Sequence, residues 1–192
     1  MTDSIPLTKK INYSPRGTAR YCYLTKAREQ LDKSKLWAYS CQLVFPAADP
    51  RILKLAEELE QAMNDCHGKT QPRAEKGMPL RLDPKDPSIY VLRFKALRFT
   101  NDDGSFSPGP KIIDSLKQPW NGQDIGNGSE LIVAYKIRPF NNEGVGLTLI
   151  PTAVQVIKFA PYVADDGADG FEEQADGYAV QPFAEEFADE FE

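Results

Sequence analysis

Basic and aromatic side chains alternate along four short stretches of the sequence. Single-stranded nucleic acid needs both kinds of group, because cations neutralise phosphates while exposed rings stack on unpaired bases. Strand aromatics usually belong to a core, and a strand with one basic and one apolar face is ordinary, so the pattern alone leaves a structural role open. The predicted DNA-binding residues are Arg20, Tyr21 and Tyr23; Lys35, Trp37 and Tyr39; Arg93, Lys95, Arg98 and Phe99; and Tyr135, Lys136, Arg138 and Phe140.

Residues that could carry catalysis are scarce. The sequence has a single histidine, His67, at a predicted helix end, where a structural role is expected. No Walker loop and no Gly-x-Gly-x-x-Gly motif occurs, so we expect no catalytic residues and no nucleotide cofactor. Five aspartates in loops would suit a metal-dependent nuclease, but their Asp-Gly and Asp-Pro contexts are typical of turns, so we expect no metal site. They are Asp83, Asp86, Asp102, Asp103 and Asp114.

Charge divides the chain into two parts. Eleven acidic residues and no Lys or Arg occur in residues 165–192, whereas residues 1–164 hold 17 acidic residues against all 23 basic ones. A body of net charge +6 therefore carries a segment of −11. A segment this polar and charged cannot bury enough surface to offset chain entropy, so we predict a domain over residues 1–163 and a disordered acidic tail over residues 164–192.

Three phenylalanines recur at every fourth position of this tail: Phe183, Phe187 and Phe191. On a helix the three rings would form one stripe, but so short a segment does not hold a helix alone in water. The tail therefore predicts a segment that folds on a protein partner and competes with nucleic acid for the basic body.

The hydrophobic periodicity predicts a mainly β protein with one helix. Asp49 as N-cap, Pro50 at the first position and Gly68 as terminator bound a helix whose apolar residues follow a 3.6-residue period. Residues 1–17, 69–88 and 105–129 lack periodicity and are predicted to be an arm and two loops, and Pro151 predicts a bulge or a break in the last strand. The predicted strands cover residues 18–26, 36–45, 89–100, 130–140 and 145–159. Together they indicate an open antiparallel barrel or a small mixed sheet rather than alternating βαβ units.

Three further features of the sequence indicate where in the cell the protein is expected. No apolar run approaches the roughly 20 residues needed to cross a bilayer. The first residues form no basic-then-apolar leader, and the three cysteines have no C-x-x-C spacing. We therefore expect neither secretion nor membrane insertion, and a reducing cytoplasm fits best.

Several motifs in the C-terminal half carry a resemblance to a known family. They are GSELIVAYKIRPFNN at residues 128–142, GVGL at 144–147, AVQVI at 153–157 and PKIID at 110–114. Together with an acidic tail that has a phenylalanine near its end, they resemble the single-stranded DNA-binding proteins of tailed phages. The resemblance implies an OB-fold, sequence-independent binding of single-stranded DNA in phage replication, recombination and repair, and no catalysis. It also implies that the tail contacts replication proteins such as a polymerase or helicase in the host cytoplasm, while a homo-oligomer stays open.

Two other classes remain as alternatives at this point. One is a metal-dependent nuclease or recombination enzyme that uses the aspartate-rich loops. The other is a structural virion protein whose acidic tail serves assembly.

Overall fold

Eight β-strands and one α-helix make up the parts of the chain that the computed structural model describes, residues 8–30 and 35–163. The helix α1 (Pro50–His67) lies between the third and fourth strands. The strands are β1 (Asn12–Tyr13), β2 (Gly17–Glu29), β3 (Trp37–Pro46), β4 (Leu80–Leu82), β5 (Ile89–Leu97), β6 (Lys111–Ile113), β7 (Glu130–Asn141) and β8 (Val145–Lys158). The predicted tail, with Phe183, Phe187 and Phe191, lies outside the described residues.

Five strands form a ring in the order β7, β2, β3, β5 and β8, and β8 pairs back to β7. The ring is only partly closed, because β5 meets β8 at a single bridge between Phe94 and Leu149 and β2 pairs with β7 at Gly17 and Thr18. β1 extends the sheet beside β7, β6 lies beside β8, and β4 pairs with β5. This is an OB-like barrel with one helix, which confirms the predicted fold class. One detail differs, since β8 runs parallel to β5 and β6 rather than antiparallel.

The barrel core follows the alternation of its strands. Cys41, Leu43 and Phe45 of β3 point inward and are almost fully buried, as are Leu92 and Phe94 of β5. Because successive side chains of a strand face opposite sides, the intervening residues of β3 and β5 are left for the outer surface.

The helix begins and ends where the sequence predicted. Asp49 Oδ1 accepts a hydrogen bond of 2.9 Å from the Arg51 N–H, Pro50 is the first helical residue, and Gly68 terminates the helix at φ 74°. The buried face of α1 adds Ile52, Leu55 and Leu59 to the barrel core. His67 at the helix end is buried, with Nε2 3.2 Å from the Gly146 carbonyl oxygen, as expected of a structural histidine. No helix in the described ranges is long and apolar enough to span a membrane.

The N-terminal arm prediction is wrong for residues 8–17. The Thr8 N–H donates to the Ile137 carbonyl at 3.0 Å, and the Ser14 N–H donates to the Val133 carbonyl at 2.9 Å, so this segment is bonded along β7. The two predicted loops likewise contain β4 and β6. The bulge beside Pro151 is confirmed, because β7 pairs Ala134 with Ala153 and then Tyr135 with Pro151, which skips one residue of β8.

Candidate nucleic-acid interface

A bulge in β2 turns three predicted interface residues outward together. Between Arg20 and Tyr23, β2 advances three residues while β3 advances two, and Tyr21 within this bulge has φ 51°. Cys22 is buried on the inner side, whereas Tyr21 is exposed. The Tyr21 N–H donates to Asn127 Oδ1 at 2.8 Å, which satisfies a backbone donor that the bulge removes from the ladder.

The register of β2, β3 and β5 then aligns side chains in rows across the outer face of the barrel. Residues opposite each other on neighbouring strands lie on the same face, close enough for their side chains to interact. The two rows are Arg20–Gln42–Arg93 and Tyr23–Ser40–Lys95. The face combines guanidinium, ammonium and phenol groups on the barrel strands that OB-folds use for oligonucleotides.

A groove of about 480 Å³ lies on this face, between the Arg20–Gln42–Arg93 row and the loops on either side of β4. Five basic and two acidic residues line it, which gives it a net positive charge. Three of the cations, Lys76, Arg81 and Lys85, were missed because they fall in a stretch without periodicity; the triplet Leu80-Arg81-Leu82 after Pro79 was the available sign of a short strand. The charged lining residues are Arg20, Lys76, Arg81, Lys85, Arg93, Glu75 and Asp83.

Asp83 holds Arg20 in place at the wall of this groove. The Arg20 guanidinium lies 2.8 Å from Asp83 Oδ2, and the Lys85 N–H donates to Asp83 Oδ1 at 2.9 Å. The Lys85 N–H and the Arg20 guanidinium hold the pKa of the Asp83 carboxyl below its usual value, and the Asp83 carboxylate raises the pKa of Arg20. Both residues of the pair are therefore ionised, and together they contribute little net charge to the groove.

Arg93 is in a different electrostatic position. Loss of surrounding water lowers the pKa of Arg93, and repulsion from the nearby Arg81 guanidinium lowers it further, with Asp83 opposing in part. An arginine stays protonated at neutral pH despite such a shift. The groove therefore contains two like charges close together.

A second cluster of side chains lies where β3 begins and β5 ends. Arg98 Cζ is 4.5 Å from the ring centroid of Trp37 and 4.0 Å from that of Phe106, so the guanidinium contacts two rings that are 42% and 57% exposed. The Arg98 N–H donates to the Trp37 carbonyl at 2.8 Å, which continues the ladder by one residue. Alternation therefore puts Arg98, which directly follows β5, on the face opposite Arg93, and the next residue, Phe99, is exposed. Phe106 was missed because a lone aromatic residue in a Gly- and Pro-rich stretch has no strand pattern.

Tyr135 does not belong to the interface, and its prediction is wrong. Its ring is 2% exposed and packs in the core against Phe94, with ring centroids 5.6 Å apart. Burial, reinforced by the negative charge of Glu58, raises the pKa of Tyr135 to about 12. A ring in this position cannot stack on a base.

The remaining predicted residues lie apart from the groove. Phe140 is half-buried with its ring against Gly146, and Tyr39 is half-buried with its ring against Gly109. Lys136 and Arg138 lie on β7 opposite Ile150 and Thr148 of β8 rather than in the groove lining. Lys35 is exposed beside residues 31–34, which are outside the described ranges.

The aspartates considered for metal binding act in turns. Asp86, Asp103 and Asp114 each accept hydrogen bonds from backbone N–H groups two residues further on, and Asp83 does so as well as pairing with Arg20. Within residues 8–30 and 35–163, no three His, Cys, Asp or Glu side chains come together in a way that could hold a metal ion.

Three solved structures have a similar fold. The chain is similar to gp2.5, a single-stranded DNA-binding protein encoded by bacteriophage T7, with a TM-score of 0.65 and 23% identity over 91% of this chain and 100% of that one. It is similar as well to the single-stranded DNA-binding protein from bacteriophage Enc34, with a TM-score of 0.60 and 13% identity over 81% of this chain and 86% of that one. A structure of the Enc34 protein in complex with single-stranded DNA matches with a TM-score of 0.57 and 14% identity over 84% of this chain and 99% of that one.

The chain has the fold of phage single-stranded DNA-binding proteins. The resemblance carried by the C-terminal motifs is thus confirmed at the level of the fold. No protein-family model matches the sequence, and no curated protein matches it by sequence. The fold is therefore recognised through structure rather than through sequence.

Proposed function

We propose that this protein binds single-stranded DNA without sequence preference and acts, without catalysis, in phage DNA replication and recombination in the host cytoplasm. The observation that carries the proposal is the outer face of β2, β3 and β5, where the rows through Gln42 and Ser40 place cations beside phenol rings. Cations that follow a backbone and rings that stack on any base bind single strands irrespective of sequence.

The bound DNA strand would follow the groove and leave it at the end of β5. Phosphates would lie along the cations of the groove, with Tyr21 and Tyr23 beside them. Past Phe99 the bases would reach the exposed rings of Trp37 and Phe106. The Arg98 guanidinium lies between these two rings and contacts both. Stacking there needs an unpaired base, so this part of the path would select single strands over duplex.

The acidic tail supplies regulation in this proposal. A segment of −11 on a body of +6 competes with DNA phosphates for the same cations, and the competition is strongest at low salt. When DNA displaces the tail, the phenylalanine stripe becomes free to bind a replication protein such as a polymerase or helicase.

A gel-shift comparison tests the binding function. Labelled single-stranded and duplex DNA of the same sequence are incubated with the protein, with and without magnesium ions. We expect retardation of the single strand at protein concentrations that leave the duplex free, and no shortening of either. Equal retardation of both forms would contradict the proposal, and shortening that requires magnesium would indicate a nuclease.

Two variants separate the effects of the tail. Deletion of residues 165–192 should raise affinity for single-stranded DNA at low salt and abolish binding of the partner polymerase, measured by calorimetry. Replacement of Phe183, Phe187 and Phe191 by alanine keeps the charge, so DNA affinity should stay unchanged while partner binding is lost. Full partner binding by the triple variant would contradict recruitment through the rings.

A further inference from the structure

Two arginines of the groove face the same space without a carboxylate partner. Arg81 lies opposite Val91 in the β4–β5 ladder, so Arg93 is its diagonal neighbour on the same face, with the two Cα atoms about 7–8 Å apart. The Arg93 N–H donates to the Pro79 carbonyl at 2.9 Å, which fixes the backbone of the two strands in this register. Both side chains line the 480 Å³ groove.

Neither guanidinium is neutralised by the surrounding protein. In the described part of the chain, no ion pair within 4.0 Å joins Arg81 or Arg93 to an acidic side chain, and the one hydrogen bond of the Arg81 head group is a long contact of 3.5 Å to the Glu75 carbonyl. Arg20, by contrast, is paired with Asp83. The groove thus contains one satisfied arginine and two that repel each other.

An anion between the two heads would turn this repulsion into attraction. Guanidinium groups form paired hydrogen bonds with phosphate oxygens, and two of them can bind opposite sides of one tetrahedral phosphate. The Arg20 guanidinium at the wall of the groove is already paired with Asp83.

We propose that Arg81 and Arg93 form a clamp for one phosphate group of the bound DNA strand, with the Arg20–Asp83 pair as its fixed wall. The proposal rests on the proposed function and names the residues that hold a phosphate there. The phosphate can be an internal phosphodiester or a terminal phosphomonoester, since both present the same oxygens.

The clamp can be tested without DNA by NMR of the arginine side chains. The ¹⁵N-labelled full-length protein is titrated with inorganic phosphate and, at matched ionic strength, with chloride. We expect the Nε–Hε signals of Arg81 and Arg93 to shift saturably with phosphate only, and Arg81→Gln to abolish the saturation at Arg93. Equal responses to phosphate and chloride would overturn the proposal.

DNA titrations then identify the source of the phosphate. Oligothymidylates with a 5′-phosphate or a 5′-hydroxyl are compared on the wild type, Arg81→Gln and Arg93→Gln. An advantage of the 5′-phosphate that either variant removes would assign a terminal phosphate. Equal weakening of both oligonucleotides, with the slope of log K against log salt reduced by about 0.7, would assign an internal one.

Two controls keep the clamp separate from the general function. Lys54→Gln removes one positive charge from the outer face of α1, outside the groove lining, and should leave binding unchanged. The double variant Arg73→Gln with Glu60→Gln removes an ion pair outside the groove lining at constant net charge and should retain the response to phosphate. Normal binding of single-stranded DNA by both clamp variants would refute the clamp alone, whereas failure of the wild type to bind would refute the proposed function.

Discussion

Replacing Asp83 by asparagine should strengthen DNA binding, the reverse of what removal of an arginine does. Asp83 is a carboxylate almost excluded from solvent inside a cationic groove, where it neutralises Arg20. Removing its charge leaves Arg20 free to contact a phosphate. The groove face then gains one effective positive charge without any new cation.

The magnitude follows from the charges on the groove face. Five cations (Arg20, Lys76, Arg81, Lys85 and Arg93) stand against Glu75 and Asp83, so about three phosphates are neutralised. For single strands the slope of log K against log salt is about −0.7 per phosphate, or about −2.1 here. A rise from about 50 to 200 mM salt then weakens binding about 18-fold, and with Asp83→Asn the slope of about −2.8 gives about fifty-fold.

Fluorescence anisotropy with a labelled oligothymidylate measures both slopes. Asp86→Asn is the matched control, because Asp86 lies in the same loop but its carboxylate accepts hydrogen bonds from Ser88 rather than from a cation. Its slope should equal that of the wild type. An unchanged or shallower slope for Asp83→Asn, with Asp86→Asn normal, would refute the assignment of this groove as the phosphate path.

Three other changes have defined outcomes. Because the pKa of Asp83 is lowered in the folded protein, its ionised carboxylate stabilises the fold above about pH 4, and this stabilisation is lost as pH falls through the folded pKa. In urea unfolding, Asp83→Asn should therefore have a lower free energy of unfolding than the wild type at pH 7, and the difference should disappear in acid. Phe94→Ala leaves a cavity in the core beside the single β5–β8 bridge and should lower the free energy of unfolding by about 3–5 kcal/mol. Trp37→Ala or Phe106→Ala should cost about 1–3 kcal/mol of DNA binding energy per lost stacked base while the salt slope stays the same, as checked by anisotropy.

Local patterns of the sequence were sufficient for the elements that local chemistry determines. The bounds of α1 follow from Asp49, Pro50 and Gly68, and the buried side of β3 follows from its alternation. Pro151 marked the irregularity in β8 because a proline cannot donate to the ladder. In these cases the deciding interactions lie within a few residues along the chain.

Features that depend on distant pairing could not be predicted in this way. The pairing of Tyr13 with Ala134 joins segments about 120 residues apart, so residues 8–17 carry no periodicity of their own. Arg81 enters the groove only because β4 pairs with β5. Tyr135 resembles the other strand aromatics in sequence, and its burial depends on Phe94 of another strand.

The order of the strands along the chain has a consequence for synthesis on the ribosome. β2, β3 and β5, which carry the groove, are complete at Leu97, whereas β7 and β8, which close the ring, end at Lys158. Until those last strands emerge, the inner face of β2 has no partner at β7 and its apolar side chains stay open to water. Closure joins Gly17 to Leu131, a separation that makes the final step slow relative to formation of the β2–β3 hairpin. The surface proposed to bind DNA is therefore made first, and the barrel that supports it is finished only when β7 and β8 have been synthesised.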